Sequence, residues 1–219
     1  MKFLKPLRPY VARIAYCALI VAIGAGAAPP KPATTPASLV AFDRAWTHVK
    51  AYSTTITIFE RQGAQTQNMA LDYSFNKPST IAVRVVAGAN KGARLEWNGG
   101  STVLVRRGSG MLSLLKKTVS LHDPLVTTIR GSAINQMSFG EILAHSREPG
   151  TLTESRGDVI GGIATEKVTL IPSHPLSDGH LTREVIEIST TTHFPARILG
   201  YEGPTLVRTV DFTDIRIGH

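Results

Sequence analysis

The chain has 219 residues, with 24 Lys or Arg against 16 Asp or Glu and a single Cys. Hydrophobic residues make up 42% of it, enough for a core, which excludes wholesale disorder. One Cys excludes a disulfide framework and a Cys-based zinc site, and a charged fraction of only 18% argues against a long coiled coil.

Residues 1–27 read as a secretory signal. Lys2, Lys5, Arg8 and Arg13 form a positive leader, residues 15–23 an apolar stretch, and Ala25-Gly26-Ala27 a small-residue cleavage site. The apolar stretch is shorter than the roughly 20 residues of a membrane span, and an uncleaved anchor stands as the alternative to a cleaved signal. Cys17 follows the bulky Tyr16 and reads as part of the apolar stretch, not a lipidation site. Cleavage after Ala27 removes four cations and leaves 192 residues with a net charge of +4. That balance calls for no nucleic-acid partner. The expectation is a periplasmic or secreted protein without any Cys.

Residues 28–37 carry Pro29, Pro30, Pro32 and Pro36 and read as an extended spacer ahead of one domain over 38–219. A helix is expected over 38–52, because Leu39, Phe42, Trp46 and Val49 recur at helical spacing behind a Ser38 cap. From Thr54 the period becomes two. Ile56 and Ile58, then Met69, Leu71, Tyr73 and Phe75, then Ile81, Val83 and Val85, then Leu95 and Trp97, and a run over 102–106 predict a meander of about five strands. Residues 111–123 fit no single pattern. Ser138, with Glu141 three residues on, predicts a short capped helix to His145 carrying Phe139, Ile142 and Leu143, ended by Pro149-Gly150. Strands over 151–156, 164–171, 182–188, 195–202 and 205–216 complete about ten, a mainly β (α+β) chain whose sheet must curl to cover its apolar face.

Motifs for chemistry are scarce. The histidines form no H-E-x-x-H or H-x-E pattern, and His174 and His180 flank what reads as a polar turn. His122-Asp123-Pro124 reads as a turn start, and Gly108-Ser109-Gly110 lacks the nucleophile-elbow pattern. Asp211 and Asp214 read as solvated strand carboxylates. Arg106-Arg107 and Lys116-Lys117 read as solvated faces, with an anionic lipid headgroup as the functional alternative. No catalytic residue, metal or cofactor is expected.

The apolar stripes carry the strongest signal. Ile56, Ile58, Met69, Leu71, Tyr73, Phe75, Ile81, Val83, Val85, Leu95 and Trp97 share one sheet face, and two helices cover only part of it. With Phe139, Ile142 and Leu143 they are the candidate lining of a cavity for acyl chains. Core packing is the plainer role for any one of them.

The segments VKAYSTTITIFERQG, LDYSFNKPSTIAVRV, LEWNGGSTVLV, THFPARILGYEG and LVRTVDFTDIRI, in this order behind a signal and a helix, resemble the LolA/LolB-like superfamily of periplasmic lipoprotein carriers. The resemblance implies a curled antiparallel half-barrel with the N-terminal helix and a short lid helix in its concave side. It also implies binding of a lipid or lipoprotein acyl chain, without catalysis, in outer-envelope trafficking. At the turn after the second strand it implies a basic latch to the lid, here Lys77, a point charge where arginine would offer a fork. The turn Gly88-Ala89-Asn90-Lys91-Gly92 departs from the carriers and is similar to exported proteins of the same fold without a described role. Two alternatives stand beside the binding protein. One is an envelope interaction or sensor module with a filled core; the other is a cell-envelope hydrolase using His122, Asp123 or His193. The expected partners are a lipid or acyl chain, an envelope protein and a peripheral membrane contact, with no nucleic acid.

Overall fold

After residue 50 most of the chain alternates apolar and polar side chains, and the structure gathers that alternation into one sheet. The computed structural model describes residues 35–106, 116–176 and 180–218. The expected signal over 1–27, most of the spacer, Gly108-Ser109-Gly110 and the turn over 177–179 lie outside the described residues.

Helix α1 spans Ala37–Thr47 and buries Leu39 and Phe42. It is shorter than expected: Val49 is buried beyond its end, and Tyr52 already belongs to β1. Ser38 is not its cap. The first N–H groups, of Ala37 and Ser38, donate to the two carboxylate oxygens of Glu154 at 2.9 and 2.8 Å. A helix start needs an acceptor for its orphan donors, and here a strand on the far side of the sequence supplies it.

Strands β1 (Ala51–Gln62), β2 (Gln65–Asn76), β3 (Thr80–Ala87), β4 (Arg94–Asn98), β5 (Thr102–Arg106) and β6 (Lys116–Ser120) form the first meander. The second comprises β7 (Gly150–Ile160), β8 (Ile163–Pro172), β9 (Arg183–Ser189), β10 (Pro195–Glu202) and β11 (Thr205–Gly218). β6 was hidden in the stretch with no single pattern, so the sheet has eleven strands, not about ten. All pairings are antiparallel, in the order β6-β5-β4-β3-β2-β1-β11-β10-β9-β8-β7. The first meander grows outward from β1. Residues 121–149 then return to the other edge, and the second meander works inward until β11 pairs with β1. The sheet is an open half-barrel with β6 and β7 as edges.

The connection between the meanders supplies the lid. It contains a 3₁₀ turn, Ile134–Met137, and helix α2, Phe139–His145, whose cap Ser138 accepts from the Glu141 N–H as expected. The Asp123 carboxylate accepts from the Leu125 N–H at 2.9 Å, so His122-Asp123-Pro124 does start a turn.

Candidate functional site

Four polar anchors hold the connection against the sheet. The Tyr73 hydroxyl donates to the Ile134 carbonyl at 3.2 Å, and the Tyr52 hydroxyl accepts from the Phe139 N–H at 3.1 Å. Burial pushes both phenols up and so favours their neutral, hydrogen-bonding form. The third anchor is charged. Glu60, wholly buried, pairs with Arg208 across the β1–β11 ladder and accepts from the Arg130 N–H at 3.1 Å. The Arg130 guanidinium donates to the Arg61 carbonyl at 2.7 Å and to Glu202 at 3.2 Å. Gln67 completes the line by accepting from the Ile129 N–H.

Under the helices the space is filled. Phe139 is the hub: it stacks on Tyr52 at 4.2 Å between centroids and on Phe194 at 5.1 Å, and meets Phe42 and Trp46 edge-on. Gly140 lets α2 come this close, since a Cβ there would sit 3.1 Å from the Trp46 ring. Ile56, Ile58, Tyr73, Ile81, Val83, Phe139, Ile142 and Leu143 all lie in this closed core.

Toward β3–β6 the space is open. A cavity of about 740 Å³ lies between the sheet and residues 124–137. Its sheet side is Gln67, Met69 and Leu71 from β2, then Val85, Leu95, Val105 and Lys117 from β3 to β6. Its other wall is Pro124–Thr128, Ser132, Ile134 and Met137 from the connection. Ala89, Asn90 and Lys91 of the β3–β4 turn, with Lys117 and Leu125, form an exposed rim. Gly88 makes that turn possible: its φ is +88°, and a Cβ there would lie 2.3 Å from the Asn68 carbonyl oxygen.

Of the residues expected to line a cavity, Met69, Leu71, Val85 and Leu95 line this one. Phe75 and Trp97, with Trp46 and Lys77, border a second recess of about 620 Å³. Lys77 reaches helix α1: its ammonium donates to the Trp46 carbonyl at 2.7 Å and sits 4.3 Å from the centre of that indole. Val126, Ile134 and Met137 were not singled out by the pattern; Val105 was expected only as part of a strand, Lys91 only as part of a turn, and Lys117 as part of a basic pair with an anionic headgroup as its functional alternative. The connection has no period to read, and Lys117 shares the inward face of β6 with Val119, a charge where the pattern asks for an apolar residue, in the stretch left unassigned. Asp211 is not merely solvated: its carboxylate accepts from Arg197, which raises the guanidinium's affinity for its proton.

No protein-family model and no curated protein matches this sequence. Among solved structures the chain is similar to the lipoprotein LppX of Mycobacterium tuberculosis, at 14% identity over 82% of this chain and 94% of that one, with a TM-score of 0.46. It is also similar to a DUF1329 family protein of Desulfovibrio piger, at 12% over 82% and 90%, TM-score 0.43. A LolA superfamily protein of Nitrosomonas europaea follows, at 10% over 83% and 92%, TM-score 0.37. No superfamily and no residue role comes from these likenesses.

Proposed function

We propose that the protein is an exported, periplasmic binding protein that holds an acyl chain in the cavity beneath residues 124–137 and catalyses nothing. One observation carries this reading: a cavity of about 740 Å³ whose walls include Met69, Leu71, Val85, Leu95, Val105, Val126, Ile134 and Met137, with a few polar side chains among them. Ligand sites of roughly 300–1,000 Å³ are typically apolar with a few placed polar groups. Met69 and Met137 give its walls side chains that adapt to chains of different shape. The filled aromatic core beside the cavity fits a sensor module as well, but such a module has no use for the empty space.

The test is uptake of a fluorescent fatty acid, cis-parinaric acid, by the delipidated protein. Wild type is expected to bind it and to melt higher in its presence, by about 2.7 kcal/mol of added stability at a hundred times Kd. Leu95→Trp, which narrows the cavity at its sheet wall, is expected to fold and to take up less. Equal uptake by both would defeat the reading.

A further inference from the structure

The charge of the chain is unevenly placed. Residues 77–122, the span that includes β3–β6, contain eight Lys or Arg and one acidic residue, Glu96. Residues 123–219 contain eight basic and twelve acidic residues. The strand register turns the first imbalance into a row. Arg84 pairs with Arg94, Arg94 with Arg106 and Arg106 with Lys116, as direct partners across four neighbouring strands. Their sequence neighbours Val83, Leu95, Val105 and Lys117 belong to the cavity side, so these four cations stand on the outer face. At strand spacing the row is roughly 14 Å long, and neighbours within it lie inside the physiological screening length.

Such a row is costly, because like charges directly opposite destabilise a sheet. The other wing of the same sheet avoids that cost. There Lys167, Glu187, Arg197 and Asp211 are successive register partners on the outer face, alternating in sign. In the cationic row Asp72 offsets Arg84 at 3.6 Å and Glu96 offsets Arg106 at 3.1 Å. Among the described residues neither Arg94 nor Lys116 has an acidic partner within 4 Å. Protection of a sheet edge accounts for a lysine on β6, but not for Arg84 and Arg94 on interior strands.

The row also has a position. Arg84 and Arg94 are the last paired residues before the β3–β4 turn, and that turn carries Lys91 on the cavity rim. We infer that the β3–β6 wing docks on an anionic lipid bilayer, its outer row and the rim lysines Lys91 and Lys117 meeting phosphate headgroups. The exposed Leu125 and the cavity mouth then face the source of the acyl chain. The choice of a bilayer over another polyanion rests on the acyl-binding reading of the cavity; the cationic row stands without it.

Vesicle flotation tests the inference, with the protein expressed from its full sequence and purified after export. Vesicles are one-third phosphatidylglycerol in phosphatidylcholine, or phosphatidylcholine alone. Wild type is expected to float with the anionic vesicles only, and progressively less as salt is raised. Arg94→Glu with Lys116→Glu is expected to weaken binding by about 25-fold or more, at about fivefold per cation. Its melting midpoint is expected to hold or rise, because the new carboxylates sit between Arg84 and Arg106 and beside Arg106. Arg44→Glu with Arg216→Glu, exposed cations outside this wing, is expected to bind like wild type.

Binding unchanged by the first pair, or lost equally with the second, would overturn the inference. Indifference to anionic vesicles with tight binding to a DNA duplex would overturn it in favour of another polyanion. Cis-parinaric acid uptake without vesicle binding would sink the docking surface and leave the cavity reading standing. Vesicle binding without uptake would do the reverse.

Discussion

The two wings of this sheet are built from the same alternation and end differently. On the β7–β11 side the inward residues meet the helices and their aromatic cluster, and the outward face balances its charges in an alternating ladder. On the β3–β6 side the inward residues Val85, Leu95 and Val105 face a cavity, and the outward face stacks like charge on like. A sheet optimised only for stability would fill the one and alternate the other. Both departures fall on the same wing, as expected where a site is kept at some expense to stability.

The comparison can be broken most directly at the hub. Phe139→Ala removes the ring on which Tyr52 and Phe194 stack and is expected to cost about 3–5 kcal/mol in urea unfolding. Val105→Ala, on the cavity wall and half-exposed, is expected to cost about 1 kcal/mol. Similar costs would mean that the two wings are packed alike.

Glu60→Ala comes next, at about 3 kcal/mol, because it leaves Arg208 facing an empty buried position and takes the acceptor from the Arg130 N–H. Faster amide exchange at Ile129 and Arg130 than at α2 would locate the effect at the cavity's roof.

Lys77→Met tests the latch on α1. Loss of its bond to the Trp46 carbonyl and of its place on the indole is expected to cost about 1 kcal/mol, read in the melting midpoint. Lys77→Arg is expected to retain most of it.

The smallest effect belongs to Glu154→Gln, about 0.5 kcal/mol, because the site is exposed. Partial burial alone would raise this carboxyl, but hydrogen bonds from Ser38 and Ala37 outweigh it and hold the group below its ordinary value. A depressed carboxyl stabilises the fold above the ordinary carboxylate range and loses that contribution as pH falls through the lowered value. The acid limb of the stability curve is therefore expected to be shallower in the variant, by thermal melts from neutral to acid pH.

Much of the architecture is legible in the sequence because a half-buried antiparallel strand writes itself as period two. Met69, Leu71, Tyr73 and Phe75 declare the inward face of β2 by their alternation alone. Helix α1 is legible in its apolar stripe but not in its start, since the acceptor for its first N–H groups is Glu154, over a hundred residues away. The cavity is legible only in part. Ile56 and Leu95 obey the same pattern, and which of them is covered depends on where the lid lies. The lid's wall, with Val126, Ile134 and Met137, is irregular backbone with no period. Nor does composition disclose the cationic row, which needs the register that sets Arg84, Arg94, Arg106 and Lys116 side by side.

The central claim is that the space beneath residues 124–137 is a place for an acyl chain. Native mass spectrometry of the exported protein, purified without detergent and then extracted with organic solvent, tests it most directly. The account predicts a co-purifying mass of lipid size that is reduced in Leu95→Trp. A clean protein mass in wild type, with the fold intact and no uptake of added lipid, would contradict it.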